Sequence, residues 1–321
     1  MVLIFPGQGS QQPGMGSFLY NNFKIAKETF EEASDALSLD LKKLCFTGSE
    51  ADLALTENTQ PALLVTSTAT QRVLRSLVDL KIDAVAGHSI GEYAALVAAN
   101  SITLSESIRA VRIRGQAMQS AVPVGQGGMV AVMGLDPEQV EKLCAWAVQE
   151  SKLGVLSPAN FNSPGQIVIS GSQKVIDWLK ENFQPEKVFG EGAPKKVRLI
   201  PLQVSAPFHC ALMKPAEDKM RQVLKEMTFK NAEFSVLQNF TAEFHTDSAT
   251  LRENLVRQVS APVKWMQSMN GLLNKNLTNC IECGAGTVLK GLLKKIDSER
   301  FQVFNTSTLE EIETIRNLQV H

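Results

Sequence analysis

AVAGHSIGEYAALVAAN, residues 84–100, is the stretch on which the reading of the fold turns. Residues 84–86 are a short apolar run of the kind that forms a buried strand, and Gly87 ends it. Gly87-His88-Ser89-Ile90-Gly91 then matches G-x-S-x-G, and EYAALVAAN after it has the composition of a helix. Strand, sharp turn and helix in that order form a nucleophile elbow, which lifts a serine oxygen above the end of a parallel sheet. The helix N-terminus favours negative charge beside that oxygen, and the N–H of Ile90 points toward a developing oxyanion. Ser89 is therefore the candidate nucleophile, with a purely structural glycine turn as the alternative.

Working outward, residues 2–5 read as a buried strand leading into the Gly-rich loop PGQGSQQPGMG. Pro61 is read as opening a helix over PALLVTSTATQRVLRSL, capped by Thr59, and Thr103-x-x-Glu106 as starting another that runs to about Ser120. Alternating strands and helices predict an α/β fold with a mainly parallel sheet. Residues 125–203 change character. They read strand (MVAVMGL), helix (PEQVEKLCAWAVQE), strand (VLSPAN), strand (QIVIS), helix (SQKVIDWLKENF), strand (VRLIPLQ), the βαββαβ order of ferredoxin-like folds. The expected organisation is a large α/β domain, residues 1–124 and 204–321, with a small domain at 125–203 inserted.

A hydrophobic content of 44% over 321 residues fills a substantial core, and 20% charged residues speak against disorder. A net charge of −1 gives no general attraction to nucleic acid or anionic membranes. The N-terminus has no basic leader, and no stretch approaches the roughly 18 apolar residues of a membrane span. Five scattered cysteines fit a reducing cytoplasm. Cys280 and Cys283 form a CxxC pair inside a strand-like segment, where positions three apart face opposite ways and cannot share an ion, so no metal is expected.

A serine nucleophile needs a base, and there are four histidines. His88 is too close to Ser89 around the turn, His245 sits in the polar run FHTDS and reads as a solvated loop residue, and His321 is the last residue. His209, in VSAPFHCALMKP at a strand-to-loop junction, is the preferred base by elimination, although an apolar-flanked histidine taken alone is more often a packed core residue. The acids between serine and histidine, Asp136, Glu138 and Glu141, fall in a helix of the inserted domain, so the acceptor orienting the imidazole can be a backbone carbonyl. On the helical wheel of residues 104–119, Arg114 falls among Ala110, Val111, Ile113, Ala117 and Met118, with Ile108 out of place. An inward guanidinium needs anionic or carbonyl partners, either a structural salt bridge or a substrate carboxylate held by the fork. The loop Gly7-Gln8-Gly9-Ser10-Gln11 lacks the residues of a phosphate cradle and offers Gln8 as a second oxyanion donor.

FPGQGSQ, TQPALL, GHSIGEY, RGQAMQ, NFNSPGQIVISG, PFHCALMKP and RQVSAPVKW occur here in an order that resembles the malonyl-CoA:acyl carrier protein transacylase family, and most are shared with acyltransferase domains of polyketide synthases. The resemblance implies a hydrolase-like large domain with a ferredoxin-like small one. It also implies an acyl group on Ser89, His209 as acid and base, backbone amides of Gln8 and Ile90 as the oxyanion hole, and Arg114 on the malonyl carboxylate. By the same resemblance Gln258 supplies the carbonyl that orients the histidine, and Gln60, His88, Asn160, Asn162 and Phe208 line the substrate site. Phe208 before the histidine resembles malonyl-selective polyketide domains, where the ring crowds a methyl branch. The implied reaction is ping-pong transfer from malonyl-CoA to the phosphopantetheine thiol of acyl carrier protein for fatty acid biosynthesis, by a cytoplasmic monomer without cofactor. The rival readings are a trans-acting polyketide synthase acyltransferase, a thioester hydrolase and a silent carrier-binding scaffold.

Overall fold

In the computed structural model, the structure describes residues 1–204 and 206–317. Among them the strands are β1 (Val2–Phe5), β2 (Ala84–Gly87), β3 (Gly127–Met133), β4 (Leu156–Ser163), β5 (Gln166–Ser172), β6 (Arg198–Pro201), β7 (Ser235–Leu237), β8 (Phe244–His245), β9 (Asn279–Glu282) and β10 (Gln302–Asn305). Six form one sheet in the order β10-β9-β1-β2-β7-β8, parallel except where β8 runs against β7. The other four form an antiparallel sheet in the order β4-β5-β3-β6.

The large sheet is covered on both faces, which is why β1 and β2 are apolar without alternation. Leu3, Phe5 and Val85 point into one core, and Val2, Ile4, Ala84 and Ala86 into the other. Cys283 belongs to the first and Cys280 to the second, so the pair faces opposite ways as strand geometry requires. In the small sheet, Val130, Val132, Ile167 and Ile169 pack against the helices Pro137–Ser151 and Gln173–Asn182. The alternate residues Met129, Ala131 and Val168 face the main body. All four strands of this sheet fall inside residues 125–203. It is joined to the rest by two backbone hydrogen bonds, Phe161 N–H to the Val263 carbonyl at 2.9 Å and Val263 N–H to the Ala159 carbonyl at 2.8 Å.

Three expectations need correction. The helix expected to open at Pro61 is Thr56–Leu77, with Pro61 inside it and Thr59 not its cap. Proline removes an N–H that would have bonded the Glu57 carbonyl four residues back. Arg112 Nη1 donates to that carbonyl at 2.9 Å instead, so the helix tolerates the proline. The helix Leu104–Ser120 starts as expected at Thr103, but its buried stripe runs through Ser107, Ile108, Val111, Arg114, Gly115 and Met118. Ile108 thus belongs to the buried face, while Ile113 and Ala117 are only half-buried. The stripe is set by the neighbouring helix, against which Gly115 packs so closely that a Cβ would lie 2.6 Å from the Glu57 Cα. His245 is no solvated loop residue: it lies half-buried in β8, paired with Val236 and bonded through Nε2 to Thr241 Oγ at 3.1 Å. His321 lies outside the described residues. Among those described, no helix is long and apolar enough to cross a membrane.

Candidate active site

Ser89 lies two residues past the end of β2 and leads into the helix Gly91–Ala98. Its φ of 51° is the left-handed backbone that L-residues avoid, a strain of about 1–3 kcal/mol that the surroundings must hold in place. Glycines make the turn possible, since a Cβ on Gly87 would lie 2.0 Å from the Gly91 carbonyl carbon and one on Gly91 2.2 Å from the Phe5 oxygen. Asn239, just past β7, clamps the turn from the neighbouring strand end. Its Oδ1 accepts from Ser89 N–H at 2.7 Å, and its Nδ2 donates to the Gly87 carbonyl at 2.7 Å.

His209 Nε2 lies 2.8 Å from Ser89 Oγ, and its Nδ1 lies 2.9 Å from the Gln258 carbonyl. A carbonyl only accepts, so Nδ1 carries the hydrogen and Nε2 presents its lone pair to the serine. Burial, and then the charge of Arg114, push His209 down to about 3, so the ring is a neutral base throughout the physiological range. Asp136, Glu138 and Glu141 are exposed and are not among the residues lining the cavity over Ser89. Asp136 caps the helix Pro137–Ser151, accepting from Gln139 N–H at 2.8 Å.

Arg114 is 1% exposed. Its Nη1 donates to Gln60 Oε1 at 2.9 Å, and its Nη2 donates to Gln258 Oε1 at 2.9 Å and to Ser89 Oγ at 3.1 Å. All three acceptors are uncharged, and Nε has no partner among the described residues. Of the two expectations for this residue, the structural salt bridge is not found among the described residues. A desolvated cation with neutral partners, one hydrogen bond from the nucleophile, is prepared for an anion that arrives with a ligand.

A cavity of about 180 Å³ opens over Ser89. Gln8, Gln60, His88, Ile90, Arg114, Asn160, Asn162, Phe208 and His209 all reach its wall, so every expected site residue except Gln258 faces it. Gln258 is fully buried behind the histidine. Gly7 lets the Gln8 loop press on the elbow, as a Cβ there would lie 2.7 Å from the His88 carbonyl oxygen. Among the described residues, the N–H groups of Gln8 and Ile90 have no acceptor. His88 Nε2 pairs with Asn162 Oδ1 at 2.8 Å and its ring packs on Trp265. Met118, Met129, Val168, Leu202 and Val204 supply an apolar end that sequence reading did not single out.

Sequence reading also passed over Glu92 and Asn239. Both carried a signal. EYAALVAAN is apolar but for its ends, so its helix is buried all round and takes Glu92 inside with it. Asn239 stands at the carboxyl end of a short parallel strand, where α/β sites gather.

An acyl transferase domain family model matches residues 2–298. A malonyl CoA-acyl carrier protein transacylase of Bacillus subtilis (strain 168) is 42% identical over 315 residues, 98% of this chain and 95% of that protein. That of Staphylococcus aureus (strain MRSA252) is 40% identical over 311 residues, 97% and 96% of the two chains. Among solved structures, the malonyl CoA-acyl carrier protein transacylase of Coxiella burnetii superposes with a TM-score of 0.91 at 36% identity, covering 100% of this chain and 98% of that one. A malonyl-transacylase in complex with its type II PKS acyl-carrier protein superposes at 0.90 with 38% identity, covering 99% of each chain.

Proposed function

The chain belongs to the acyl transferase domain family, and from that premise we propose that it moves a malonyl group from malonyl-CoA to the phosphopantetheine thiol of an acyl carrier protein. The observation that carries the choice of acyl group is Arg114, a buried guanidinium with uncharged acceptors, one hydrogen bond from the nucleophile.

In the first half-reaction Ser89 Oγ attacks the thioester carbon while its proton passes to His209 Nε2. The tetrahedral oxyanion is received by the free N–H groups of Gln8 and Ile90. The C–S bond then breaks, and the CoA thiolate takes the proton from His209. In the second half-reaction the pantetheine thiol gives its proton to His209, attacks the Ser89 ester, and the serine recovers the proton as it leaves. Gln258 holds the imidazole in the tautomer both directions need. Arg114 takes the malonyl carboxylate, Gln60 keeps the fork in plane, and Asn160, Asn162 and His88 form the polar side of the cavity. Phe208 crowds the carbon next to the thioester. These steps call on no metal or redox cofactor. Action as a monomer in the cytoplasm, and the division into residues 1–124 with 204–321 around 125–203, belong to the same reading.

A carrier of polyketide rather than fatty acid synthesis is the second reading, favoured by the likeness to the transacylase bound to a type II PKS acyl-carrier protein. Intact-protein mass spectrometry tests both. Malonyl-CoA is expected to add one malonyl mass to the wild type and none to Ser89→Ala, and holo carrier protein is expected to remove it. A malonyl adduct on Ser89→Ala overturns the nucleophile. Persistence of the adduct with either class of carrier overturns the acceptor.

A further inference from the structure

Glu92 lies on the first turn of the helix Gly91–Ala98 and has no solvent exposure. Its Oε1 accepts from Gln238 Nε2 at 3.0 Å, and its Oε2 accepts from Asn239 N–H and from Gln258 Nε2, both at 2.9 Å. All three partners are donors. A proton on the carboxyl would find no acceptor among them, so this setting selects the carboxylate, as does the positive charge of Arg114. Burial is the largest influence and raises the carboxyl, and the three donors and the charge of Arg114 act against that rise. Gln238 cannot turn over to suit a different neighbour. Its Nε2 also donates to the Leu251 carbonyl at 3.0 Å, and its Oε1 accepts from Asn254 Nδ2 at 2.9 Å.

The consequence falls on Gln258, whose amide has two possible orientations. With a carboxylate at Glu92, Nε2 must face it, and that orientation also lets Nε2 donate to the Ser89 carbonyl at 3.0 Å. Oε1 is then left facing Arg114 Nη2 at 2.9 Å. Turned over, the amide would set N–H against guanidinium and carbonyl against carboxylate, two repulsive contacts in a desolvated place. The main chain of the same residue holds His209, and the second arm from Glu92, through Asn239, holds the Ser89 turn.

We propose that Glu92 is a positioning residue whose negative charge sets the orientation of the Gln258 amide and thereby aims the Arg114 fork at the acyl carboxylate. The proposal rests on the malonyl reading given above and adds the group that orients the fork. A carboxylate serving only to hold its helix in the core would weaken all acyl transfers alike.

Glu92→Gln keeps the shape and removes the charge. The rate of Ser89 acylation by malonyl-CoA and by acetyl-CoA is read by intact mass in wild type and variant, with thermal unfolding as the check on folding. Misaiming a group by about 1 Å is worth about a hundredfold, so malonyl transfer is expected to fall about that much. Acetyl transfer, which brings no carboxylate to the fork, is expected to fall several times less. An unchanged malonyl-to-acetyl ratio overturns the proposal. Gln258→Leu keeps the main-chain carbonyl and deletes the amide link, and serves if Glu92→Gln does not fold. It is expected to lower the same ratio, and equal losses on the two substrates, or no loss on either, overturn the proposal again. Where both variants fold, combining them is expected to lower the ratio no further than Gln258→Leu alone, because the two changes break one path, and an added loss overturns the proposal too. Failure of wild type to accept malonyl at all would instead remove the underlying reading.

Discussion

The two sheets meet at one cavity and treat it differently. From the large sheet and its helices come Ser89, Arg114 and Gln258, each side chain or carbonyl tied by fixed polar partners, Arg114 and Gln258 buried and Ser89 half-buried at the cavity. The small sheet is packed on its own helices through one face and offers the other to the cavity as Met129 and Val168, with the polar edge of Asn160 and Asn162. Its outer strand β6 is largely exposed, and two main-chain hydrogen bonds tie β4 to the rest. The chemistry sits where the backbone is over-determined, strained serine included. The shape of the acyl pocket is left to a surface that can vary without disturbing it.

The largest test of that division is Arg114→Ala. Removing one partner of a desolvated ionic contact is worth about 3–5 kcal/mol, or roughly a hundredfold to several thousandfold in rate. Malonyl transfer is expected to fall by that much and acetyl transfer far less, measured as kcat/KM for each. Equal losses would make Arg114 part of the scaffold instead of the substrate site.

Phe208, on the segment entering His209, is a part of the pocket wall that the small sheet does not supply. It lines the cavity at 8% exposure, so a methyl branch on the carbon beside the thioester would press on its ring. Overpacking of this kind is worth about 1–3 kcal/mol, roughly tenfold to a hundredfold. A preference for malonyl-CoA over methylmalonyl-CoA is expected in direct competition, relaxed in Phe208→Ser with little change in malonyl transfer itself. An identical ratio in both proteins would move selectivity away from this wall.

The smallest effect is one of pH. His209 is held down to about 3, below its unfolded value of about 6.5. A lowered value keeps the basic form available at every pH above it, so this group's loss begins only as pH falls toward 3. Acylation by acetyl-CoA is expected to change less than about twofold between pH 7 and 5. A sigmoidal drop centred near 6.5 would mean that the imidazole is solvated and the dyad less enclosed than the geometry has it.

Much of this was legible in the chain. G-x-S-x-G between an apolar run and a helix announced the elbow, the shortage of histidines pointed to His209, and an arginine on an apolar helical sector stood out as Arg114. The βαββαβ order of the small sheet followed from short-range periodicity. Errors arose where a neighbour overrides local preference. Pro61 reads as a helix start because proline lacks an N–H, but Arg112, 51 residues on, supplies the missing donor. The buried stripe of Leu104–Ser120 is shifted to include Ile108, because close packing at Gly115 sets which side faces in.

What the sequence determined by itself was local: which residues turn, which strands are buried on both faces, and which polar side chains stand in apolar settings. Periodicity and turn chemistry act over a few residues, so they can be read without knowing the fold. Only the tertiary structure brought together Ser89, Arg114, Glu92, Asn239 and Gln258 from four separate stretches of chain. The orientation of one buried amide, and with it the aim of the arginine, depends on hydrogen-bond partners that share no local pattern. No periodicity encodes such a contact, because it exists only once the sheet has placed those strand and helix ends side by side.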